Sequence, residues 1–509
     1  MAIPTLKLDN IQGNSVGGFN KDFMSLLFLK FKTAAKGRSW IAEIVDADLG
    51  VAASSSQQVL RFNAQFKALR AAGIQPETVI EAAWTSLALS HRGLKALGVN
   101  TADLTRFPTP FKQGMAARKS IIGDLGSSDP SQWSAPFQDP AEVHAVLLVA
   151  ADREPALTER VRAITATPKF QAGAAIVGLP VQGRTRVDER GHEHFGFKDG
   201  VSQPGIRGIT PADDPVGNPD QGQPGQDLLW PGEFVLGYPK QIGQAPAADS
   251  GDVNTNPGPI SKSGPKWTVD GSYLVFRRLE QDVPGFRAHL KALAQQNNLS
   301  QDLMGAKLVG RYKSGCPIET RSFEQPHDPS SVDPGIANPA LADNDTLNNN
   351  FEFGDDAEGG RCPLAAHIRK AYPRNERTLK KANDSESDTQ THRLLRRGIP
   401  FGVSFGAGAG GGAGDPRGLL FMCYQTDLER QFEFVQSQWV NNAAFPTFPV
   451  GHLPPGEDPI IAQSPQGSFV LDPNSPAIQV KHFVTTTGGE YFLAPSIDAL
   501  RRLGAGELS

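Results

Sequence analysis

The chain has 509 residues but only three cysteines, Cys316, Cys362 and Cys423, and no C-x-x-C. That excludes zinc ribbons and thioredoxin-like redox pairs. An odd count argues against a disulfide-built fold, although one bridge stays open. No apolar run reaches membrane-spanning length, so no membrane partner is expected. No sign of charge dominates: the net charge is −4, which leaves no electrostatic footprint for nucleic acid or an anionic bilayer. The opening stretch "MAIPTLKLDNIQGN" lacks the charged n-region and apolar h-region of a cleaved signal. Either the protein is not exported that way, or the chain is a mature form carrying a starting Met. No G-x-S-x-G occurs, so a Ser/His/Asp triad lacks support. No second histidine motif completes a zinc site. Tyrosine and tryptophan number six each, which keeps any list of redox-active aromatics short.

Glycine and proline, by contrast, are plentiful, at 53 and 40 residues, and imply long connections between elements. The length favours two domains. In the first half, residues 23–32, 83–90, 142–151 and 174–186 read as strands. Residues 55–73, 91–98 and 154–167 carry helical spacing. In the second half, 232–239, 271–280, 417–426 and 488–496 read as strands, and 283–296 and 427–440 as helices, with Pro284 at a helix start. Each half then runs strand–helix–strand–strand–helix–strand with long insertions, which predicts an α+β chain of two ferredoxin-like domains, antiparallel sheets with peripheral helices. We place the boundary between 1–215 and 216–509. Residues 240–268 and 324–360 read as surface loops. "GAGAGGGAGDP" (406–416) contains a formal G-x-G-x-x-G, but no Lys-Ser/Thr accompanies it and a strand follows. It reads as a hinge or lid rather than a nucleotide loop.

Three stretches pair reactive residues with unusual backbone. "HFGFKDGVSQPGI" (194–206) sets a single carboxylate, Asp199, among glycines and aromatics. Asp-Gly is a turn signal, but such a stretch also suits a cavity wall that backbone must approach closely. "GGRCPLAAHIRKAYPR" (359–374) places His367 on a short helix that Pro363 can start and Tyr372-Pro373 stops. A lone helical histidine is ordinarily a packed or surface residue. A neutral imidazole on an apolar face with Arg369 and Lys370 nearby also fits an anionic, iron-centred cofactor. "HRLLRRGIPFG" (392–402) brings Arg396 out of an apolar segment just before a backbone break, and in "GLLFMCY" Leu419 and Phe421 share a face. Together the stretches supply a carboxylate, a guanidinium and an imidazole.

"GFKDG" resembles the G-x-x-D-G motif of dye-decolourising peroxidases. "LDNIQGN", "CPLAAHIRKAYPR", "LLRRGIPFG", "RGLLFMCYQ", "FEFVQSQWVNN", "DPIIAQ" and "GGEYFLAPS" resemble segments of that family in the same order, over nearly the whole chain, and the long loops resemble its fungal-type subgroup. The resemblance implies two ferredoxin-like domains with one haem b per chain between them. It implies His367 as proximal iron ligand, Asp199 and Arg396 as the distal catalytic pair, and Asp458 as acceptor for the second N–H of His367. Gln203, Leu419 and Phe421 would border the cofactor. Hydrogen peroxide would be the oxidant, and dyes, phenols and other bulky one-electron donors the reductants, reached through surface aromatics. Trp439 is the best relay candidate, and it could equally be a packed helix residue. Some fungal relatives carry Tyr where this chain has Phe401, so a relay there is in doubt. Some fungal relatives oxidise Mn(II), and among Asp213, Asp214, Asp343, Asp345, Glu352, Asp355 and Asp356 some could form a hard-cation site, although such acids are more often solvated loop residues. A carboxyl base keeps working in acid where an imidazole is protonated, so an acidic optimum is expected. The resemblance favours a secreted monomer, while the missing leader leaves an intracellular location open. Two rival readings stand: a haem-handling or iron-releasing protein on the same fold, and a haem-free binding module in which His367 is incidental.

Overall fold

A computed structural model describes residues 3–46, 50–215, 220–242, 257–321, 328–354, 356–376, 385–448, 451–463, 467–473 and 475–508. Parts of both predicted surface loops, and Asp355, lie outside them.

Five early strands are β1 (Phe23–Phe31), β2 (Ala83–Leu89), β3 (Ala145–Ala151), β4 (Ala174–Ile176) and β5 (Val181–Arg184). Five later ones are β6 (Ser272–Gln281), β7 (Leu395–Arg396), β8 (Ile399–Phe401), β9 (Gly418–Gln425) and β10 (Val484–Ala494). All ten join one sheet in the order β8-β9-β6-β10-β2-β3-β1-β4, with β5 beside β1 and β7 beside β9. Numbered within its own half, each set of four has the order 2-3-1-4 and antiparallel pairing, which is the ferredoxin-like arrangement stated twice. The halves meet where Leu493 of β10 pairs with Leu89 of β2. At the other side β5 turns towards β8, and a Cβ on Gly183 would collide with the Ile399 side chain, so the sheet curls into a barrel.

Nearly continuous apolar runs explain the central strands. β3, "AVLLVAA", is buried at every position, and β1 nearly so, as a central strand covered on both faces requires. Helices cover the sheet: α1 (Ala34–Ile44), α2 (Ser56–Ala71), α3 (His91–Ala96) and α4 (Glu154–Thr165) in the first half, α5 (Val283–Gln296) and α6 (Gln301–Val309) in the second. α2 begins with a full capping box, Ser55 and Gln58 satisfying each other's backbone N–H groups. Asp282 caps α5 just before Pro284.

Several expectations fail in instructive ways. Residues 232–239 form no strand. The chain folds back so tightly that the Gly232 N–H reaches the Pro239 carbonyl at 2.7 Å, and Gly237 adopts a φ of +92°. The segment 174–186 is two short strands interrupted at Gly178, whose φ is +70°. The predicted helix 427–440 starts only at Phe432 and continues over Val435–Val440 as a π-helix, in which the Asn441 N–H bonds to the Gln436 carbonyl. The helix expected to start at Pro363 begins at His367 itself and is α7 (His367–Ala371). The segment 406–416 is a run of exposed turns. All three cysteines are buried and none forms a disulfide. Among the described residues, no helix is long and apolar enough to cross a membrane.

Candidate active site

A cavity lies against the second half of the sheet. Arg277, Leu279 and Gln281 of β6 and Leu419 and Phe421 of β9 form its floor. Along β9, burial alternates so that Leu420 and Met422 face the core while Leu419 and Phe421 face the cavity. His367, Arg396 and Asp199 all line this one space, together with Phe432, Val435 and Val440. The residues come from both sides of the 215/216 boundary, chiefly the later one.

His367 is held from behind. Its Nδ1 lies 2.8 Å from Asp458 Oδ2, and Oδ1 of that carboxylate accepts the N–H groups of Ile460 and Ile461 at 2.8 and 3.0 Å. Asp458 is fully buried. Burial by itself would make the imidazole harder to protonate, but the Asp458 charge and hydrogen bond outweigh it and raise the His367 pKa. With Nδ1 engaged, Nε2 is the nitrogen left to serve as a ligand.

Asp199 and Arg396 form a looser pair. Arg396 Nη1 donates to Asp199 Oδ1 at 3.2 Å, and Nη2 to the Ser202 carbonyl at 2.8 Å. The Gly200 N–H also donates to Asp199 Oδ1, at 2.6 Å. Both bonds fall on Oδ1, leaving Oδ2 to exchange a proton. Gly196 and Gly200 have φ of +100° and +75°, so the loop needs glycine for backbone handedness; a Cβ on Gly200 would meet open space. Upstream, the buried carboxylate of Glu193 accepts the N–H groups of Phe195 and Phe197, both at 2.8 Å, and so shapes this loop.

Gln203 has a different place from the one expected. Its amide exchanges two bonds with the backbone of Arg396, both at 3.2 Å, and it lines a neighbouring cavity rather than the one with His367. It positions Arg396. That second, more polar cavity shares Glu193, Asp199, Gly200, Arg396, Gly398 and Leu419 with the first.

Arg369 and Lys370 do not face the cavity. Arg369 is buried between Asp356 and Glu376, and Lys370 donates to the Asn442 carbonyl at 2.6 Å. Lys198, Arg277, Arg311, Arg374 and Arg396 line it instead, and of these Arg311 and Arg374 have no carboxylate partner among the described residues. The nitrogens of these two bond to the Ser202 hydroxyl, Asn349 and backbone carbonyls. Burial, and then their mutual repulsion, pushes the Arg311 pKa down to about 9. Two buried guanidinium groups short of negative charge fit the carboxylates of haem, and an aspartate-anchored imidazole on the same space fits its iron.

Trp439 is 2% exposed and stacks on Phe445 at 5.3 Å, beside His392 and Phe434. It is not at the surface. Phe401 is also buried, under the Arg278 guanidinium. The predicted Mn(II) ligands do not gather: Asp343 pairs with Lys198 and Asp356 with Arg369, and no group of three potential ligands forms among the described residues. Sequence reasoning missed Glu193, Ser202, Arg311 and the cavity role of Arg374. The last stands in the quoted "YPR", where the Pro stop after the His367 helix could have drawn the eye to it.

Residues 10–186 match the family model for the DyP dimeric alpha+beta barrel domain, and residues 246–446 that for the C-terminal part of Dyp-type peroxidases. A dye-decolorizing peroxidase of Mycetinis scorodonius is 32% identical over 97% of this chain and 87% of its own length. The chain belongs to the dye-decolourising peroxidase family. One from Exidia glandulosa is 33% identical over 98% of this chain and 87% of its own. Among solved structures, an ancestral D-type dye-decolorizing peroxidase superposes with a TM-score of 0.76 at 33% identity, covering 98% of this chain and 99% of that one. A dye-decolorizing peroxidase in complex with 2,6-dimethoxyphenol gives 0.74 at 30% identity, over 99% and 100%. The protein is a peroxidase of a haem-enzyme family.

Proposed function

We propose that His367 would bind the iron of one haem b per chain, and that Asp199 and Arg396 would activate hydrogen peroxide in the same cavity for the oxidation of phenols, dyes and similar one-electron donors. The observation that carries this is the shared cavity: an aspartate-anchored imidazole and an Asp–Arg pair line the same space. Haem, when bound, supplies the redox centre that peroxide oxidises and donors reduce. Arg311 and Arg374 would hold its carboxylates, and Leu419 and Phe421 would pack against it.

Peroxide enters by the polar second cavity, which ends at Asp199 and Arg396. Asp199 Oδ2 takes the proton from one peroxide oxygen and returns it to the other, the leaving one. Arg396 stabilises the negative charge that grows as the O–O bond breaks. Asp458 keeps the imidazole oriented and electron-rich, which favours oxidised iron. Gln203 keeps Arg396 in register. The chain's two ferredoxin-like units, 1–215 and 216–509, would contribute Asp199 and His367 respectively.

The haem-handling alternative would need no Asp199–Arg396 pair, and the pair's direct contact favours peroxide chemistry. A visible spectrum of the haemin-loaded protein, before and after one equivalent of peroxide, tests both. A ferric Soret band that converts rapidly to that of an oxidised haem is expected, and His367→Ala should abolish it. A band that peroxide only bleaches points to haem handling. No band at all removes His367 as a ligand.

A further inference from the structure

Bulky donors need a path for electrons, and the chain has few oxidisable side chains to build one. Tyr372 is the tyrosine that lines the cavity, but it is poorly equipped. Among the described residues its hydroxyl has no hydrogen-bond partner, and the Arg393 guanidinium sits 3.9 Å over its ring. A tyrosine sheds its phenolic proton when it loses an electron, and here no base is placed to take it. A cation over the ring also opposes the loss. Burial holds its pKa up at about 12, so the proton is not already gone.

One ring further back the situation reverses. Phe432 lines the cavity, and Tyr491 of β10 packs edge-on against it at 6.2 Å. The Tyr491 hydroxyl donates to Glu433 Oε1 at 2.9 Å. Arg118 grips the same carboxylate at 2.9 and 2.6 Å, and reaches the exposed Glu429 at 3.6 Å. Tyr491 is fully buried and its pKa stands well above that of a free phenol, chiefly through burial, so it rests protonated with a base in contact. Tyr238 also donates to a carboxylate, Asp270, but it does not line the cavity.

We propose that Tyr491 is a redox relay of this peroxidase, with Glu433 as its proton acceptor. In the step, Tyr491 gives one electron to the peroxide-oxidised haem and its phenolic proton passes to Glu433. A neutral tyrosyl radical and a neutral carboxylic acid result. An external one-electron donor then reduces the radical, and Glu433 returns the proton. The proton reaches Glu433 as the electron departs, so neither the ring nor the carboxyl is left charged, and Arg118, which loses its counter-charge in Glu433, keeps that of Glu429 at 3.6 Å until the proton returns. The oxidising equivalent thereby comes within two side chains of the surface at Glu429.

The inference rests on haem filling the cavity, and the test separates the two. The haem-loaded enzyme is mixed with one equivalent of peroxide, frozen, and examined by electron paramagnetic resonance alongside its visible spectrum. A tyrosyl signal is expected in the wild type, lost in Tyr491→Phe and kept in Tyr372→Phe. Glu433→Gln retains the phenol without its base, and should slow the signal's appearance at least about tenfold. It serves as a second probe should Tyr491→Phe load haem poorly. A signal that survives Tyr491→Phe overturns the proposal. So does an indole signal in place of a tyrosyl one, which would move the relay to a tryptophan such as Trp439. Absence of a Soret band would sink the haem reading itself, and the relay with it.

Discussion

Two aspartates serve this cavity, Asp199 by lining it and Asp458 from behind His367, and they are held in opposite ways. Asp458 is fully buried, clamped by two backbone N–H groups and by His367. Burial would raise its pKa, but the His367 charge and these hydrogen bonds bring it below the ordinary value. The Asp199 side chain is 39% exposed, and its one ionic contact, to a partly exposed Arg396, is long at 3.2 Å. A group that orients a ligand must not move or change charge; a group that shuttles a proton must do both. The first demands a dry site with every lone pair spoken for, the second a wet one with an oxygen to spare.

The contrast is broken most severely on the wet side. Arg396→Leu removes the charge that meets the leaving oxygen and should slow the peroxide reaction about a hundred- to a thousandfold, read by stopped-flow absorbance. Asp199→Asn keeps the loop's hydrogen bond from Gly200 but cannot carry the proton, and should cost about a hundred- to ten-thousandfold. Haem affinity should stay unchanged in both. If either variant instead loses haem and keeps its peroxide rate, the assignment is falsified. On the dry side the readouts exchange places. Asp458→Asn leaves the peroxide pair intact but frees the imidazole, and should weaken haem binding about ten- to a hundredfold in a haem-transfer assay. Equal loss of peroxide rate and haem affinity in all three variants would erase the distinction between the two aspartates.

Much of the dry side was legible in the sequence. His367 stands out in its short helical segment and Asp458 only through the family resemblance, and the structure brings them to 2.8 Å. Asp199 and Arg396 were legible because backbone punctuation, glycine or proline, flanks each. The alternation of strands and helices points to the ferredoxin-like units, but the 2-3-1-4 order comes from the structure, and in the second half the short strand β8 replaces the one expected at 232–239. What could not be read is where long side chains point. Arg369 and Lys370 neighbour His367 in sequence yet do not line the cavity: Arg369, two residues on, leaves the opposite side of the helix, and Lys370 is taken up by the Asn442 carbonyl. Arg311 enters from another element, and no local pattern couples it to Arg374. Residues 232–239 look like a strand by composition, but Gly232 and Gly237 let the chain fold back on itself. Trp439 is a matter of burial, which a lone aromatic in a helical run does not disclose.

A third carboxyl sharpens the comparison by having burial without a partner charge in contact. Glu233 is 1% exposed, and Oε1 accepts the Gln241 N–H at 2.8 Å. No ion pair holds it among the described residues, and burial pushes its pKa from 4.5 up to about 7. Unlike Asp458, it therefore folds as the neutral acid. Between these two values the unfolded chain has released the proton while the folded one keeps it, so Glu233 makes stability fall as pH rises from about 4.5 to about 7, and then level off. Glu233→Gln keeps a carbonyl oxygen for Gln241 and cannot ionise. It should lack that decline, so that its stability relative to the wild type grows by about 2 kcal/mol between pH 5 and pH 8 in urea unfolding. Should the two proteins run parallel across that range, Glu233 is ionised in the fold, and water or Lys240 supplies the compensation that His367 gives Asp458.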